Sequence, residues 1–135
     1  MALTALRPML AVNDMVATMT FWTEVLGFTV TSEMTFAEGQ PPGWCNLARD
    51  GVAIMFTWEP EHTHDDGTSH GSEAALAGSL YFNVEDVDAI YEELRQRPGV
   101  GEIRPPADQP HGMREFLVQD PNGFAVFFGQ PLATD

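Results

Sequence analysis

Lysine is absent from this sequence, and its six arginines face twenty acidic residues, which gives a formal net charge of −14. A surface this acidic repels nucleic acid and anionic lipid and attracts cations. We therefore expect neither a nucleic-acid partner nor a membrane partner. A cationic ligand would explain the excess of acid, and so would a need for solubility or adaptation to salt.

Cysteine and long apolar runs are also scarce. The one cysteine, Cys45, cannot form an internal disulfide and suits a reducing compartment. It lies in a strand-like segment, which favours a small core side chain over a catalytic one. No apolar run approaches the roughly 18 residues that a membrane-spanning helix needs, and no charged-then-apolar leader opens the chain. These features predict a cytoplasmic protein.

What the sequence does contain is two similar successions of apolar patterns, each with a helix that follows an N-cap aspartate, Asp14 or Asp86. The first succession predicts a strand, a helix and three strands at 6–12, 15–26, 28–36, 44–48 and 52–58. The second predicts the same order at 80–84, 86–97, 102–104, 113–119 and 124–128. Residues 59–78 are acidic, rich in Gly, Ser and Thr, and hold three of the four histidines, so we predict a linker there.

The two successions repeat at a constant spacing. Equivalent strand ends, caps, helix-ending glycines and turn glycines are 72 residues apart: Val12 and Val84, Asp14 and Asp86, Gly27 and Gly99, Gly51 and Gly123. Four coincidences at structurally equivalent points indicate a duplicated βαβββ module.

The duplicated order and several motifs together resemble the vicinal oxygen chelate superfamily of glyoxalases, extradiol dioxygenases, fosfomycin-resistance enzymes and bleomycin-resistance proteins. The motifs are Pro-Met-Leu-Ala-Val-Asn-Asp at 8–14, Phe-Trp-Thr-Glu-Val-Leu-Gly-Phe at 21–28, Val-Glu-Asp-Val-Asp at 84–88 with Tyr91, and Gly-Met-Arg-Glu-Phe at 112–116 with Asp-Pro-Asn-Gly at 120–123. The Phe-Trp-Thr-Glu and Arg-Glu-Phe segments are most similar to the bleomycin-resistance branch.

This resemblance implies an α+β fold in which two tandem βαβββ modules form curved mixed sheets around a cleft. A single domain would then span 1–135, with module one at about 4–58, a linker at 59–78 and module two at about 79–130. Bleomycin-resistance proteins exchange elements between two chains, so the resemblance also implies an element-swapped homodimer with two ligand grooves.

The family's metal-using members carry His, Gln or Glu at four points, which correspond here to Arg7, Met55, Ser79 and Phe127. These side chains cannot supply the hard donors that a divalent ion needs. A register shift of two would bring in Met9, Tyr81 or Thr57 instead, and still no histidine or carboxylate set. We therefore expect no metal and no cofactor, and the assignment leans away from an enzyme.

The linker offers a second place to look for a metal. His62, His64 and His70 lie there with neighbouring aspartates. Strong binding would have to order a flexible segment. We expect a solvated loop, with a metal site as the alternative.

A cleft lined by methionines and aromatic rings accepts flat ligands and attracts cations. The predicted ligand-binding residues are Met9, Phe36, Trp44, Met55, Tyr81, His111 and Phe127. Phe36 and Trp44 flank the Gly/Pro loop at 39–43 and are predicted to form the lip of the cleft. Ordinary core packing is the alternative for these side chains.

His111 stands where bleomycin-resistance proteins often carry a tryptophan that stacks on the drug, which puts bleomycin itself in question. It has no evident partnered nucleophile or metal, so a catalytic role is not favoured.

The sequence thus predicts a metal-free small-molecule-binding protein resembling bleomycin-resistance proteins. It would sequester a cationic or planar aromatic ligand, with a bleomycin-type antibiotic as the leading suggestion. A glyoxalase-like metal-dependent lyase, isomerase or dioxygenase is the alternative, and a ligand sensor or accessory protein of a biosynthetic pathway is a third hypothesis.

Overall fold

The first succession of elements folds into a four-stranded sheet with a helix against one face. In the computed structural model the elements are β1 (Met9–Val12), α1 (Met15–Thr20), β2 (Thr29–Thr35), β3 (Pro42–Arg49) and β4 (Val52–Trp58). The strand order is β1-β4-β3-β2. β1 runs parallel to β4, and the other neighbours are antiparallel.

The second succession builds the same sheet again. Its elements are β5 (Ser79–Asn83), α2 (Val87–Arg95), β6 (Ala107–Asp108), β7 (Met113–Gln119) and β8 (Ala125–Pro131). The strand order β5-β8-β7-β6 repeats that of the first sheet, again with one parallel pair, β5 and β8. The predicted α+β fold with two βαβββ modules is confirmed.

The structure describes residues 1–60 and 78–133. The chain divides into two compact units, Met1–Ala74 and Ala75–Asp135, which we call module one and module two. The predicted histidine cluster of His62, His64 and His70 lies outside the described residues and stays a prediction.

α1 and α2 begin directly after the predicted N-cap aspartates, Asp14 and Asp86, and the two helix starts are copies of each other. Oδ1 of Asp14 accepts the Ala17 N–H at 3.0 Å, and Oδ1 of Asp86 accepts the Ala89 N–H at 3.0 Å. Each bond satisfies a donor that the first helical turn would otherwise leave unpaired. The 72-residue spacing therefore extends from sequence to hydrogen bonds.

The first helix changes its winding halfway. After α1, Phe21–Val25 forms a π-helical turn in which the Leu26 N–H donates to the Phe21 carbonyl oxygen at 3.1 Å. The Thr23 hydroxyl donates to the Met19 carbonyl oxygen at 2.7 Å, and this bond competes for the acceptor that an α-helix would use. The helix predicted over 15–26 has the correct extent, but its second half is a π-helical turn and not an α-helix.

One short strand lies elsewhere than predicted. The strand predicted at 102–104 is wrong, and β6 (Ala107–Asp108) forms instead, between the strands predicted at 102–104 and 113–119. Pro105 and Pro106 precede it, and proline has no N–H to give to a ladder. Pairing with β7 therefore begins after them, with Ala107 opposite Glu115.

Each sheet packs one face into its module's core. In module one, Trp22 lies 5.1 Å from Phe28 and 5.3 Å from Phe56 between ring centroids. In module two, Phe116 and Phe128 stack at 5.2 Å. Cys45 is fully buried, and its burial raises the pKa of the thiol, so the predicted core role is confirmed. Within the two described ranges, no helix combines the length and apolar character required to cross a membrane.

Candidate small-molecule binding faces

Strand alternation turns a second set of side chains away from each core. We call this side of a sheet its open face. In module one it carries Met9, Trp44, Asn46, Met55 and Thr57, since Met9 and Asn46 lie opposite Met55, and Trp44 lies opposite Thr57. Met9 is 58% exposed, so ordinary core packing does not explain it.

A chain of hydrogen bonds fixes the centre of this face. An Arg7 Nη1–H donates to Asn46 Oδ1 at 2.9 Å, and the Asn46 Nδ2–H donates to Thr31 Oγ1 at 2.7 Å. The Thr31 hydroxyl in turn donates to the Asn46 carbonyl oxygen at 3.1 Å. Asn46 is only 8% exposed, so these partners satisfy a polar group that would be costly to bury alone.

The open face of module two is aromatic instead. Tyr81 lies opposite Phe127 on neighbouring strands, and their rings are nearly parallel, 5.8 Å apart at 14°. Leu117 lies opposite Phe127 on its other side. Tyr81 is 41% exposed and Leu117 is 44% exposed. The stacked rings and the leucine together form an apolar surface, which suits an aromatic ligand.

A carboxylate adjoins this surface. The Tyr81 hydroxyl donates to Glu115 Oε2 at 2.6 Å, and His111 Nε2 lies 3.4 Å from the same oxygen. Burial and the bond to Glu115 raise the pKa of Tyr81 to about 12. Tyr81 is therefore a hydrogen-bond donor throughout the physiological range, and Glu115 is the acceptor.

The Tyr81 ring needs a glycine beneath it. A Cβ added to Gly129 would come within 1.9 Å of the Tyr81 hydroxyl oxygen. Gly129 also lies opposite Glu115 on the neighbouring strand. The missing side chain therefore allows the phenol to lie across β8 and reach the carboxylate.

Phe36 and Trp44, predicted to border one cleft together, lie on opposite sides of their sheet. The Phe36 ring occupies the space where a Cβ on Gly43 would point, 2.1 Å from that position. Gly43 and Trp44 are adjacent in β3, so their side-chain directions are opposite. Trp44 is on the open face, and Phe36 is on the helix side, where it lines a cavity of about 390 Å³.

The structure thus places five of the predicted site residues on two open faces, brings His111 near the second face and separates Phe36 from both. Met9, Met55 and Trp44 share the open face of module one, and Tyr81 and Phe127 share that of module two. His111 precedes β7 and reaches the second group through Glu115. Phe36 belongs to the helix-side cavity instead.

Sequence reasoning missed several residues of these faces: Thr31, Asn46, Glu115, Leu117 and Gly129. For Glu115 a signal was present, because it lies in the Arg-Glu-Phe segment. Asn46 is a polar residue inside an apolar strand, which is a second signal. Nothing in the sequence marks Gly129 as the residue beneath Tyr81.

The residues that the resemblance places at the family's metal positions do not fit a metal. Arg7 is cationic and bonded to Asn46, and Phe127 carries no donor atom. Met55 offers only a soft thioether, and Ser79 a single hydroxyl. Among residues 1–60 and 78–133, no three His, Cys, Asp or Glu side chains are grouped as a metal site would need.

Comparison with solved structures shows one fold throughout. A bleomycin-binding protein from bleomycin-producing Streptomyces verticillus, complexed with copper(II)-bleomycin, is 23% identical with a TM-score of 0.69, covering 100% of this chain and 99% of that one. TnmS3, an antibiotic-binding protein from Streptomyces sp. CB03234, is 20% identical with a TM-score of 0.64, covering 97% and 98%. A bleomycin resistance determinant encoded on the transposon Tn5 is 23% identical with a TM-score of 0.67, covering 96% and 98%.

At these identities the likeness establishes the fold. No curated protein matches the chain in sequence. The family model of the glyoxalase/bleomycin resistance protein/dioxygenase superfamily matches residues 4–128, which is nearly the whole chain. The chain therefore belongs to the glyoxalase/bleomycin resistance protein/dioxygenase superfamily.

Proposed function

We propose that this protein is a cytoplasmic binding protein that captures a cationic or planar aromatic small molecule without converting it. The observation that carries the proposal is the stacked pair of Tyr81 and Phe127 beside the Glu115 carboxylate. A stacked aromatic pair is able to accept a further planar ring or a cation, and an adjacent carboxylate favours a positively charged ligand. The net charge of −14 acts in the same direction.

The structural relatives support capture as the activity. They include a bleomycin-binding protein with copper(II)-bleomycin bound and an antibiotic-binding protein. Bleomycin-type antibiotics are therefore the first ligands to test, and protection against such an antibiotic is the proposed biological role.

Capture also agrees with the chemistry of the residues. Arg7, Met55, Ser79 and Phe127 give no hard donor set at the family's metal positions, so we propose that the site works without metal. His111 Nε2 lies 3.4 Å from the Glu115 carboxylate, a contact that supplies no hydroxyl or thiol for it to activate.

We further propose that two chains form a homodimer. Three large apolar side chains near the start of the chain, Met1, Leu3 and Leu6, are almost completely exposed. Contiguous exposed apolar side chains are typical of surfaces that another chain covers. β1, which follows them, is an edge strand of its sheet and is able to extend its pairing.

Calorimetric titration with copper-free and copper-loaded bleomycin tests the ligand. We expect saturable binding that Phe127→Ala weakens about tenfold, the equivalent of about 1.4 kcal/mol. Met55→Ala is the matched control, since Met55 occupies the equivalent position in module one, and we expect it to weaken binding less than threefold, or about 0.6 kcal/mol.

Three results would contradict parts of this proposal. Absence of binding at high micromolar drug removes bleomycin as the ligand. Equal losses in the two variants remove the aromatic face as the site. A stoichiometric metal in the purified, tag-free protein, together with turnover of a glyoxalase or dioxygenase substrate, replaces capture with catalysis.

A further inference from the structure

We propose that module one contains a second small-molecule site, on the helix side of its sheet, which binds a small organic cation with a flat apolar body. The site is the cavity beside Phe36, and it is separate from the open face discussed above. It therefore goes beyond the proposed function, and either proposal can fail without the other.

The cavity has the size of a ligand site. Its volume of about 390 Å³ falls within the roughly 300–1,000 Å³ of typical small-molecule pockets. Three segments of module one meet around it: the start of α1, the loop between β2 and β3, and the end of β4. Its walls include Val16, Phe36, Pro42 and Trp58.

The aromatic walls are held in place before any ligand binds. The Trp58 Nε1–H donates to the Asn13 carbonyl oxygen at 3.2 Å, which fixes the indole. The Phe36 ring rests directly on Gly43, where any larger residue would displace it. Phe36 is 57% exposed and Trp58 is 44% exposed, so both rings offer free area. A site with fixed walls loses little conformational entropy on binding.

The polar part of the cavity favours a positive charge. Asp14 lies on its rim, where Oδ1 accepts the Ala17 N–H. That bond orients the carboxylate, and Oδ2 is the oxygen that remains for a ligand. Among the residues that the structure describes, no arginine lines the cavity. Aromatic faces attract cations as well as flat rings, so the same walls suit both parts of an organic cation.

Module two shows that the fold does not require this cavity. The residues 72 positions after Val16 and Trp58 are Asp88 and Gln130. Arg114 donates to both carboxylate oxygens of Asp88, at 2.9 and 3.0 Å, and to Asp108 at 3.1 Å. The Gln130 side chain accepts the Val87 N–H at 2.8 Å. In module two, charged and polar groups therefore hydrogen-bond to one another at the positions where module one has aromatic walls around a cavity.

The test uses two probes of similar shape, N-methylquinolinium and quinoline, the second of which is neutral at neutral pH. Titration of the ¹⁵N-labelled full-length protein should shift the Trp58 indole N–H signal and leave that of the fully buried Trp22 in place. Trp58→Ala should weaken N-methylquinolinium binding, followed by calorimetry, about tenfold, since a desolvated cation–π contact contributes at this level.

Asp14 is tested by substitution with asparagine, which is equally good as a helix N-cap and keeps the helix start intact. We expect Asp14→Asn to weaken N-methylquinolinium binding roughly three- to fivefold, as for a partly exposed ion pair, and to leave quinoline binding unchanged. Asp86→Asn removes the same charge at the equivalent cap of module two and should change neither.

The proposal is overturned if the Trp58 signal does not move at millimolar probe, or if Asp14→Asn and Asp86→Asn weaken binding equally, since net charge alone would then explain it. Phe127→Ala distinguishes binding in this cavity from binding at the open face of the proposed function. If that variant abolishes the Trp58 shift, the probe is bound at the open face and the second site does not exist.

Discussion

Module one and module two have the same arrangement of strands and helix, and they differ in the side chains on the open face and beside the helix. The cores match closely: the same strand order, the same aspartate caps and aromatic clusters under each helix. Away from the cores, module one has methionines and a buried asparagine on its open face and a cavity beside its helix. Module two has an aromatic pair beside a carboxylate, and an arginine with two aspartates beside its helix.

This comparison teaches which positions the fold constrains. A core position must fill a fixed volume without unpaired polar atoms, so duplication preserves its character. An open-face position meets no such demand and is free to acquire a binding role. The differences between the modules therefore mark functional positions better than either module does alone.

The largest expected effects are in the cores. Trp22 and Leu94 are fully buried and are 72 residues apart. We expect Trp22→Ala to lower the free energy of unfolding by about 3–5 kcal/mol and Leu94→Ala by about 2–5 kcal/mol, measured by urea denaturation. Val16→Ala, at an exposed position of α1, should change it by less than about 0.5 kcal/mol. A loss below about 1.5 kcal/mol at either buried site would contradict the equivalence of the two cores.

The next largest effect is expected when the residues at the centres of the two open faces are exchanged, Asn46 for leucine and Leu117 for asparagine. Asn46 lies opposite Met55, and Leu117 lies opposite Phe127. Asn46→Leu removes the side-chain acceptor of Arg7 and the N–H that donates to the Thr31 hydroxyl, so we expect a loss of about 1–3 kcal/mol in the free energy of unfolding. The reverse change, Leu117→Asn, is at a half-exposed position and should stay within about 0.5 kcal/mol. Equal costs in urea denaturation would show that the two faces are interchangeable.

A smaller loss of stability is expected on substitution of Gly129, which lies beneath the Tyr81 ring. Gly129→Ala would displace the Tyr81 phenol and break its hydrogen bond to Glu115, at a cost of about 0.5–1.5 kcal/mol. The side chain is able to rotate away, so the fold should persist. Thr57→Ala, at the equivalent place in module one, is the control and should cost less. A crystal structure of Gly129→Ala with Tyr81 unmoved would contradict this account.

The smallest effect is a pH dependence that belongs to module two. The pKa of Tyr81 is raised from 10.0 to about 12, so the folded state holds this proton more tightly than the unfolded state. The resulting stabilisation is complete below pH 10 and is lost as the pH rises through the folded-state value.

Denaturation between pH 9 and pH 12 measures this loss. The wild type should lose more stability over that range than Tyr81→Phe, which has no proton to release. The absence of lysine removes the usual competing titration from this interval. Parallel pH profiles for the two proteins would show that the bond to Glu115 does not act on stability.

Much of the fold was predictable because its signals are local. The caps at Asp14 and Asp86 and the glycines at 27, 51, 99 and 123, all with positive φ, depend on neighbours in sequence. Met9 lies opposite Met55 and Tyr81 lies opposite Phe127, so the two strand pairs repeat at the same 72-residue spacing. The π-helical turn and the strand wrongly predicted at 102–104 both depend on which hydrogen-bond acceptor or partner strand is used. Apolar patterns in the sequence do not show that choice.

The site was less predictable because it depends on register. The first hairpin turns through two residues, with Arg49 opposite Val52, and the second through five, with Gln119 opposite Ala125. In the second turn, Asp120 Oδ1 accepts the Asn122 and Phe124 N–H groups and so fixes the longer loop. The pairing shifts by one residue, which exchanges the two faces of a strand. Asn46 therefore corresponds to Leu117, and not to Val118 at the 72-residue spacing.

The sequence by itself determined two copies of one module, their caps, their buried strand faces and their acidic surface, since each depends on composition or on residues a few positions apart. Only the tertiary structure decided that Phe36 rests on Gly43, that Tyr81 crosses Gly129 to reach Glu115, and that Phe36 and Trp44 point to opposite sides. These are contacts between strands, where a shift of one residue or the loss of one Cβ determines which side chains meet.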